Sequence, residues 1–287
     1  MLEVVVLGVL AVAAASLDAV LAGGPGPFRE AARLLVLERR TTPQADRLLA
    51  RIGAIALPLA AALAALVVPF GGHAALDTRV GVVWFNAMEV VGWAAVWLVG
   101  WGANSAFALV GGYRFIAQGL AYELPHMFAL ITAALAAHSL DLRAIGAAQG
   151  GLWFGVWMPV AFAVYLVSAL AMAFWGPFGA PLGADIAGGA ALELPGPDRL
   201  VFLAGRYGLL AVASAVAVPL FLGGGGGPVL PAWLWSLVKT CAVLALLVWA
   251  RRRLPVLRMD RFVQAAWVVL IPAVLLQMLV VAVVVVD

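Results

Sequence analysis

About eight apolar stretches, each as long as a helix that crosses a lipid bilayer, limit most strongly how this chain can fold. A transmembrane helix needs about 20 mostly apolar residues. With 66% hydrophobic and 11% charged residues, the chain carries more apolar surface than a soluble core of 287 residues can bury. The sequence therefore predicts an all-α, polytopic integral membrane protein that forms one membrane domain over residues 1–287. The stretches lie near residues 2–22, 48–70, 80–101, 113–138, 149–175, 201–222, 231–250 and 263–286.

The segment between the first two stretches, about 26–40, has the pattern of an amphipathic helix. Phe28 and Leu35 recur at helical spacing, with Arg29 and Arg33 between them. A basic amphipathic helix of this kind lies in the plane of the membrane surface. We therefore predict an interfacial helix, in which Phe28 is a candidate to contact a lipid-soluble ligand, although anchoring in lipid explains it as well.

The arginines are distributed unevenly among the loops. Fourteen lie in or beside the loops at about 23–47, 102–112, 176–200 and 251–262, whereas the other loops hold only Arg79 and Arg143. Positive residues concentrate on the cytoplasmic side, so these four loops are predicted to be cytoplasmic and both termini to lie outside an inner (plasma) membrane. The net charge of +3 is too small and dispersed to indicate nucleic-acid binding.

A few ionisable residues fall inside the predicted spans, where a charge costs at least about 2.5 to 3.5 kcal/mol. Glu123 and His126 share one helix face, and Pro125 between them interrupts the backbone hydrogen bonding. This pattern suits a proton relay, and it suits equally a pair that only joins helices. Glu89 has apolar sequence neighbours, so its partner must come from another helix. Lys239 completes the candidate proton path, although near a span end it could also reach the interface.

No catalytic residue and no metal site is predicted for this chain. The single cysteine, Cys241, excludes an internal disulfide and a cysteine-bound iron-sulfur cluster. The three histidines are too scattered to indicate haem or metal. Any redox centre would therefore belong to a partner.

Several segments, taken in order, resemble the H subunit of respiratory complex I, the membrane subunit that forms its quinone tunnel. The resemblance implies a fold of eight spans, quinone as substrate, and coupling of electron transfer to proton movement. It implies iron-sulfur clusters in partner subunits, docking of peripheral iron-sulfur and quinone-site subunits, and contacts with other membrane subunits and lipid. The segments are Gly24–Phe28, Val68–Gly71, Gly100–Ser105, Ala108–Arg114, Tyr122–Glu123, Phe221–Gly224, Lys239–Thr240 and Arg251–Arg261.

By motif position, Arg114 and Glu123 correspond to family residues between the quinone cavity and the proton path, and Lys239 falls on a family Lys-Thr position. The chain departs from the family in two places. The loop at about 176–200, which follows the fifth predicted span and is here called the fifth loop, keeps few carboxylates. In addition, the family's Phe-Leu-Ala-Glu-Tyr is replaced by a segment containing Arg206. Together with the arginines of the interfacial helix, this gives a predicted quinone cavity formed by Phe28, Arg29, Arg33, Arg114, Arg206 and Tyr207.

Other functions compete with this interpretation. The equivalent membrane subunit of a group 4 energy-converting hydrogenase would share the module. A stand-alone ion transporter with a midplane site at Glu123 is a different class, although the sequence has no internal repeat of the kind common in transporters. A purely structural anchor for peripheral subunits is a further alternative.

Overall fold

Helices make up the regular structure of this chain in the residues that the computed structural model describes, 2–38 and 40–286. The only β pairing there is an isolated bridge between Phe70 and His73. The all-α prediction is confirmed. The helices are α1 (Leu2–Ala22), α2 (Pro27–Val36), α3 (Arg47–Ala65), α4 (Gly81–Gly102), α5 (Ala106–Ala136), α6 (Leu142–Ala147), α7 (Phe154–Trp157), α8 (Pro159–Met172), α9 (Gly196–Phe221), α10 (Ala232–Arg253), α11 (Met259–Ala265) and α12 (Ile271–Val286).

Among the described residues, seven helical stretches are long and apolar enough to cross a bilayer, and the continuous α11–α12 stretch is one of them. The fifth predicted span, the remaining one of the eight, is shorter than expected. Instead of one helix over 149–175, the chain forms the single turn α7 and then the 14-residue α8, which begins at Pro159. Proline lacks a backbone N–H and favours the first helical position, so it starts a new helix there.

Helix α5 is longer than predicted, because a loop was expected over 102–112 and the helix already begins at Ala106. The glycines in this region serve close packing and do not end the helix. A Cβ at Gly100 would lie 2.6 Å from the carbonyl oxygen of Ala108, and one at Gly111 would collide with the backbone of Ala190. The connection between α4 and α5 is therefore only residues 103–105.

The connections that follow the first, third, fifth and seventh spans, here called the odd-numbered connections, meet at one end of the bundle. Asn104 Nδ2 donates to the Pro43 carbonyl at 3.0 Å, and the Leu257 amide donates to the Pro177 carbonyl at 2.9 Å. Even-numbered connections meet elsewhere, where Arg143 forms an ion pair with Asp77. This separation is the one required of a chain that crosses the bilayer eight times. We call the two groups of connections the basic end and the opposite end.

The fifth loop, residues 173–195, folds at the basic end into four short 3-10 turns that pack against the start of α5. Below it, one apolar core joins residues of all the spans, and α9 is the most deeply buried of them. Helix α2 occupies part of the predicted 26–40 segment and buries only Leu34, while Phe28 is 76% exposed.

Candidate functional site

Glu89 and His126 form a buried pair between α4 and α5. His126 Nε2 lies 3.1 Å from Glu89 Oε1, and both side chains are almost completely buried. Apart from this close contact, both Glu89 oxygens and both His126 nitrogens have no hydrogen-bond partner of good geometry among the described residues. The expectation that the partner of Glu89 comes from another helix is met, and this partner is His126.

Glu123 has a different partner from the one its sequence spacing suggested. Asn86 Nδ2 on α4 donates to Glu123 Oε1 at 2.9 Å, and Glu123 Oε2 has no hydrogen-bond partner in the described parts of the chain. No hydrogen bond or ion pair joins Glu123 to His126 there, so these two residues on one face of α5 have different partners. Glu123 on α5 faces Asn86 on α4. His126, one turn further along α5, faces Glu89, one turn further along α4. We call Asn86, Glu89, Glu123 and His126 the central cluster.

Aromatic side chains surround the imidazole of His126. Its ring stacks on Tyr165 with centroids 5.2 Å apart and meets the ring of Tyr122 edge-on at 6.5 Å. The Tyr165 hydroxyl donates to the Ala213 carbonyl at 2.7 Å, while the Tyr122 hydroxyl accepts from Trp93 Nε1 at 2.8 Å. These rings fix the position of the imidazole.

Asn86 and Tyr165 were missed at the sequence level. Asn86 could have been found, because it lies one helical turn before Glu89 and is polar inside an apolar span. Tyr165 comes from α8, and its contact with His126 depends on tertiary packing that no local pattern reveals.

Arg114 lies at the basic end, nearly 14 Å from Glu123 along the axis of α5 at about 1.5 Å per residue. Its Nη2 is 2.7 Å from Asp185 Oδ2, and its Nη1 donates to the Ala180 carbonyl at 3.2 Å. The hydrogen bond from Arg114 holds the pKa of the Asp185 carboxyl below its usual range. Arg114 therefore contacts the fifth loop and lies outside the central cluster.

A second group of charges surrounds Asp18 near the end of α1. Its buried carboxylate accepts from Arg251 Nη1 at 2.6 Å, from Arg252 Nη2 at 2.7 Å and from the Tyr207 hydroxyl at 3.2 Å. Asp18 is recognisable in the sequence as a charge near a span end, but it is not among the predicted site residues. The available signal was a carboxylate at the end of one span and a run of arginines at the end of another, both at the basic end. We call Asp18, Arg206, Tyr207, Arg251 and Arg252 the arginine cluster.

Arg206 is only 8% exposed and has no carboxylate within ion-pair distance among the described residues. Its Nε donates to the Ala173 carbonyl at 3.3 Å and its Nη2 to that of Phe174 at 2.6 Å. The guanidinium lies 4.6 Å from the ring centroid of Trp175, and the guanidinium of Arg251 lies 4.7 Å from the same ring.

The arginine cluster closes one end of a cavity of about 840 Å³, which we call the membrane cavity. Helices α1, α2, α3 and α9 provide most of its wall, and most of the lining residues are apolar. Of the residues predicted for a quinone cavity, Phe28, Arg206 and Tyr207 line it. Arg29 and Arg33 do not, because both are on the exposed side of α2, where Arg33 pairs with Glu30.

A separate cavity of about 610 Å³, the loop cavity, lies between the fifth and seventh loops. Arg206 and Arg251 line both cavities, so they form a wall between them. The charged residues that line the loop cavity are Arg114, Asp185, Arg206, Arg251, Arg258 and Asp260.

Lys239 lies near the opposite end and is held by a glycine turn, Gly223–Gly227. Its ammonium donates to the carbonyls of Leu222, Gly224 and Gly226 at 2.6, 3.0 and 2.7 Å, and it lies 4.5 Å from the ring centroid of Trp153. All three of its N–H donors are engaged. The structure does not bring Lys239 together with the central cluster, because its ammonium is held by the turn at the opposite end.

These features define a multi-pass helical membrane protein whose bundle encloses ionisable groups and an apolar cavity with a charged end. A protein-family model described as NADH dehydrogenase matches residues 19–282 of the chain. The H subunit of the NADH-quinone oxidoreductase of Rubrobacter xylanophilus is 35% identical over 268 residues, which cover 89% of this chain and 81% of that protein.

Two further relatives are also H subunits of NADH-quinone oxidoreductases. One, from a Rhodopseudomonas palustris strain, is 36% identical over 270 residues, covering 91% of this chain and 84% of that protein. The other, from Geobacter sulfurreducens, is 34% identical over 265 residues, covering 88% and 80%. The chain therefore belongs to the family of NADH-quinone oxidoreductase H subunits. This membership confirms the resemblance and supports the quinone oxidoreductase interpretation over the hydrogenase one.

Proposed function

We propose that this chain forms the quinone cavity of a membrane-bound NADH-quinone oxidoreductase and couples electron transfer to proton translocation. The membrane cavity is the observation that carries the proposal. A quinone has a long apolar tail and a ring with carbonyl oxygens, so it needs an apolar channel that ends in hydrogen-bond donors. The membrane cavity has both features.

In this proposal the quinone reaches the cavity beside α1 and α2, with Phe28 and Leu34 among the apolar residues along its path. Tyr207 and Arg206 provide donors for the carbonyl oxygens of the ring at the charged end. Arg29 and Arg33 form the exposed rim of α2, and Arg114 stands behind the wall, in the loop cavity. This assigns each predicted quinone residue to the wall, the rim or the rear of one site.

The central cluster is the proposed proton-carrying site. Two carboxylates and one imidazole share a buried region with few hydrogen bonds, and an uncompensated buried charge is costly. The number of protons held by Glu89, Glu123 and His126 should therefore respond to changes in the surrounding field. Reduction of a quinone consumes protons as well as electrons, and Arg114 on α5 connects the loops to the helix that carries Glu123 and His126. Lys239 we assign to holding the glycine turn.

The basic end is the proposed cytoplasmic face, with both termini on the other side of an inner (plasma) membrane. The peripheral iron-sulfur and quinone-site subunits would dock there and supply the redox centres, while other membrane subunits and lipid would cover the sides of the single membrane domain. The unequal distribution of arginines supports this orientation.

Filling the membrane cavity tests the quinone assignment. Ala15 lines the cavity, whereas Ala13 on the same helix is exposed and does not. In the purified complex, Ala15→Trp should lower kcat/KM for a long-chain quinone by about tenfold or more, and Ala13→Trp should leave it unchanged. NADH oxidation by a water-soluble acceptor should be normal in both variants. Full quinone reduction by an assembled Ala15→Trp complex would contradict the proposal.

A further inference from the structure

We infer that the loop cavity receives an acidic segment of a peripheral subunit, whose carboxylate pairs with Arg206. The inference rests on the proposed function only in taking the basic end as the face where peripheral subunits dock. It adds the chemistry of the docking segment and the residue that receives it.

The charges that line the loop cavity do not balance. The lining contains four arginines and two aspartates. Both aspartates already have arginine partners, since Asp185 pairs with Arg114 at 2.7 Å and Asp260 with Arg258 at 3.2 Å. A third arginine, Arg251, pairs with Asp18 from outside the cavity lining. Arg206 is the remaining cation of this lining.

Arg206 is more than nine-tenths buried, and its hydrogen bonds there go to backbone carbonyls, with aromatic rings against the guanidinium. The nearby carboxylate of Asp18 is already hydrogen-bonded to Arg251 and Arg252. A guanidinium has five N–H donors, and the two hydrogen bonds of Arg206 leave further donors unused. A buried charge without an opposite charge is costly. A carboxylate is the group that matches this planar fork of donors best, because it can accept two parallel hydrogen bonds.

The walls of the loop cavity favour a polypeptide as the occupant. They are formed largely by the short 3-10 turns and connections within residues 179–185 and by residues 256–260, which lead into the start of α11. An anionic lipid would need an apolar wall for its acyl chains, and in this region the membrane cavity has that wall. A volume of about 610 Å³ accommodates a short stretch of chain with its side chains.

Photo-crosslinking of the purified complex identifies the occupant directly. A benzophenone amino acid replaces Val256, an exposed residue that lines the cavity, and in the control it replaces Val229, an exposed valine at the opposite end. After irradiation, the Val256 variant should be joined to a peptide of a peripheral subunit that is rich in Asp and Glu, and the Val229 control should not. A cross-link to lipid, to a neutral or basic peptide, or only within this chain would overturn the inference.

A charge exchange then tests the role of Arg206. Arg206→Glu should release the peripheral subunits at a lower salt concentration than wild type, and changing the cross-linked acidic residue to Arg should restore binding. Failure of the exchange to restore binding would overturn the pairing. Both readouts are independent of turnover, so the two proposals can fail separately. If the Ala15→Trp complex reduces quinone normally, the quinone proposal fails. A cross-link to an acidic peptide would still support this inference.

Discussion

Asp18 and Glu89 are both buried carboxylates, but their hydrogen bonding differs. The surroundings of Asp18 suit a charge that stabilises the fold, and those of Glu89 suit a group that transfers protons. Asp18 accepts hydrogen bonds from three side chains, two of them arginines. Glu89 has one imidazole nearby and no aligned hydrogen bond. A fully satisfied buried network holds a structure in place, whereas a poorly satisfied one is costly and suits a group whose protonation changes.

The sign of the surrounding charge differs as well. Around Asp18 there are three arginines for one carboxylate, whereas the central cluster has two carboxylates for one histidine. The end of the membrane cavity therefore attracts negative charge, and the central cluster attracts protons. The two regions can respond in opposite senses to the same change of charge.

The largest expected effect is that of Asp18→Asn. It leaves Arg251 and Arg252 without their shared carboxylate. Because both arginines are about one-third exposed, the loss should lie below the roughly 3 to 5 kcal/mol of a fully buried ion pair. The thermal unfolding midpoint of the purified complex should fall clearly. The control is Asp198→Asn, which breaks a half-exposed pair with Arg51 and should cost about 1 kcal/mol or less. Equal midpoints for the two variants would remove the structural role of Asp18.

Glu89→Gln should have the opposite profile. Few hydrogen bonds are lost, so stability should change by less than about 1 kcal/mol, whereas removing a group that transfers protons lowers a rate by about 100-fold or more. Proton translocation by vesicles that contain the complex is the measurement, with Glu193→Gln in the fifth loop as control. A Glu89→Gln variant that is as unstable as Asp18→Asn would make the two carboxylates alike and refute the comparison.

The smallest effect concerns Lys239, a buried cation that is satisfied in the same manner as Asp18. Lys239→Met should cost about 1 to 3 kcal/mol by leaving the carbonyls of the glycine turn unpaired. Amide hydrogen exchange at residues 223–227 should quicken, while proton translocation stays normal. Arg253→Met, on the exposed end of the same helix, is the control. Unchanged exchange with lost proton translocation would return Lys239 to the proton path.

Hydropathy predicted the helical fold, because every span that faces lipid must be apolar along its length. The boundaries were harder to predict. Gly111 and Gly112 resemble a break in the sequence, yet in α5 they allow the close approach of neighbouring backbone, which is a tertiary property. The Pro159 start of α8 was hidden inside a continuous apolar run.

The candidate site was only partly predictable for a related reason. A buried charge stands out against an apolar span, so Glu89, Glu123 and Lys239 were found from the sequence alone. Their partners were not, because the rotation of α4 against α5 decides that Glu123 faces Asn86 and that Glu89 faces His126. The same limit applies to Lys239, whose carbonyl partners come from a turn that the sequence presents only as repeated glycine.

The wall shared by the two cavities also restricts how the chain can evolve. Arg206 and Arg251 each face the membrane cavity on one side and the loop cavity on the other. A mutation at either position therefore alters the linings of both cavities at once. Tolerated replacements at these positions should arise together with compensating changes among the other residues that line the two cavities.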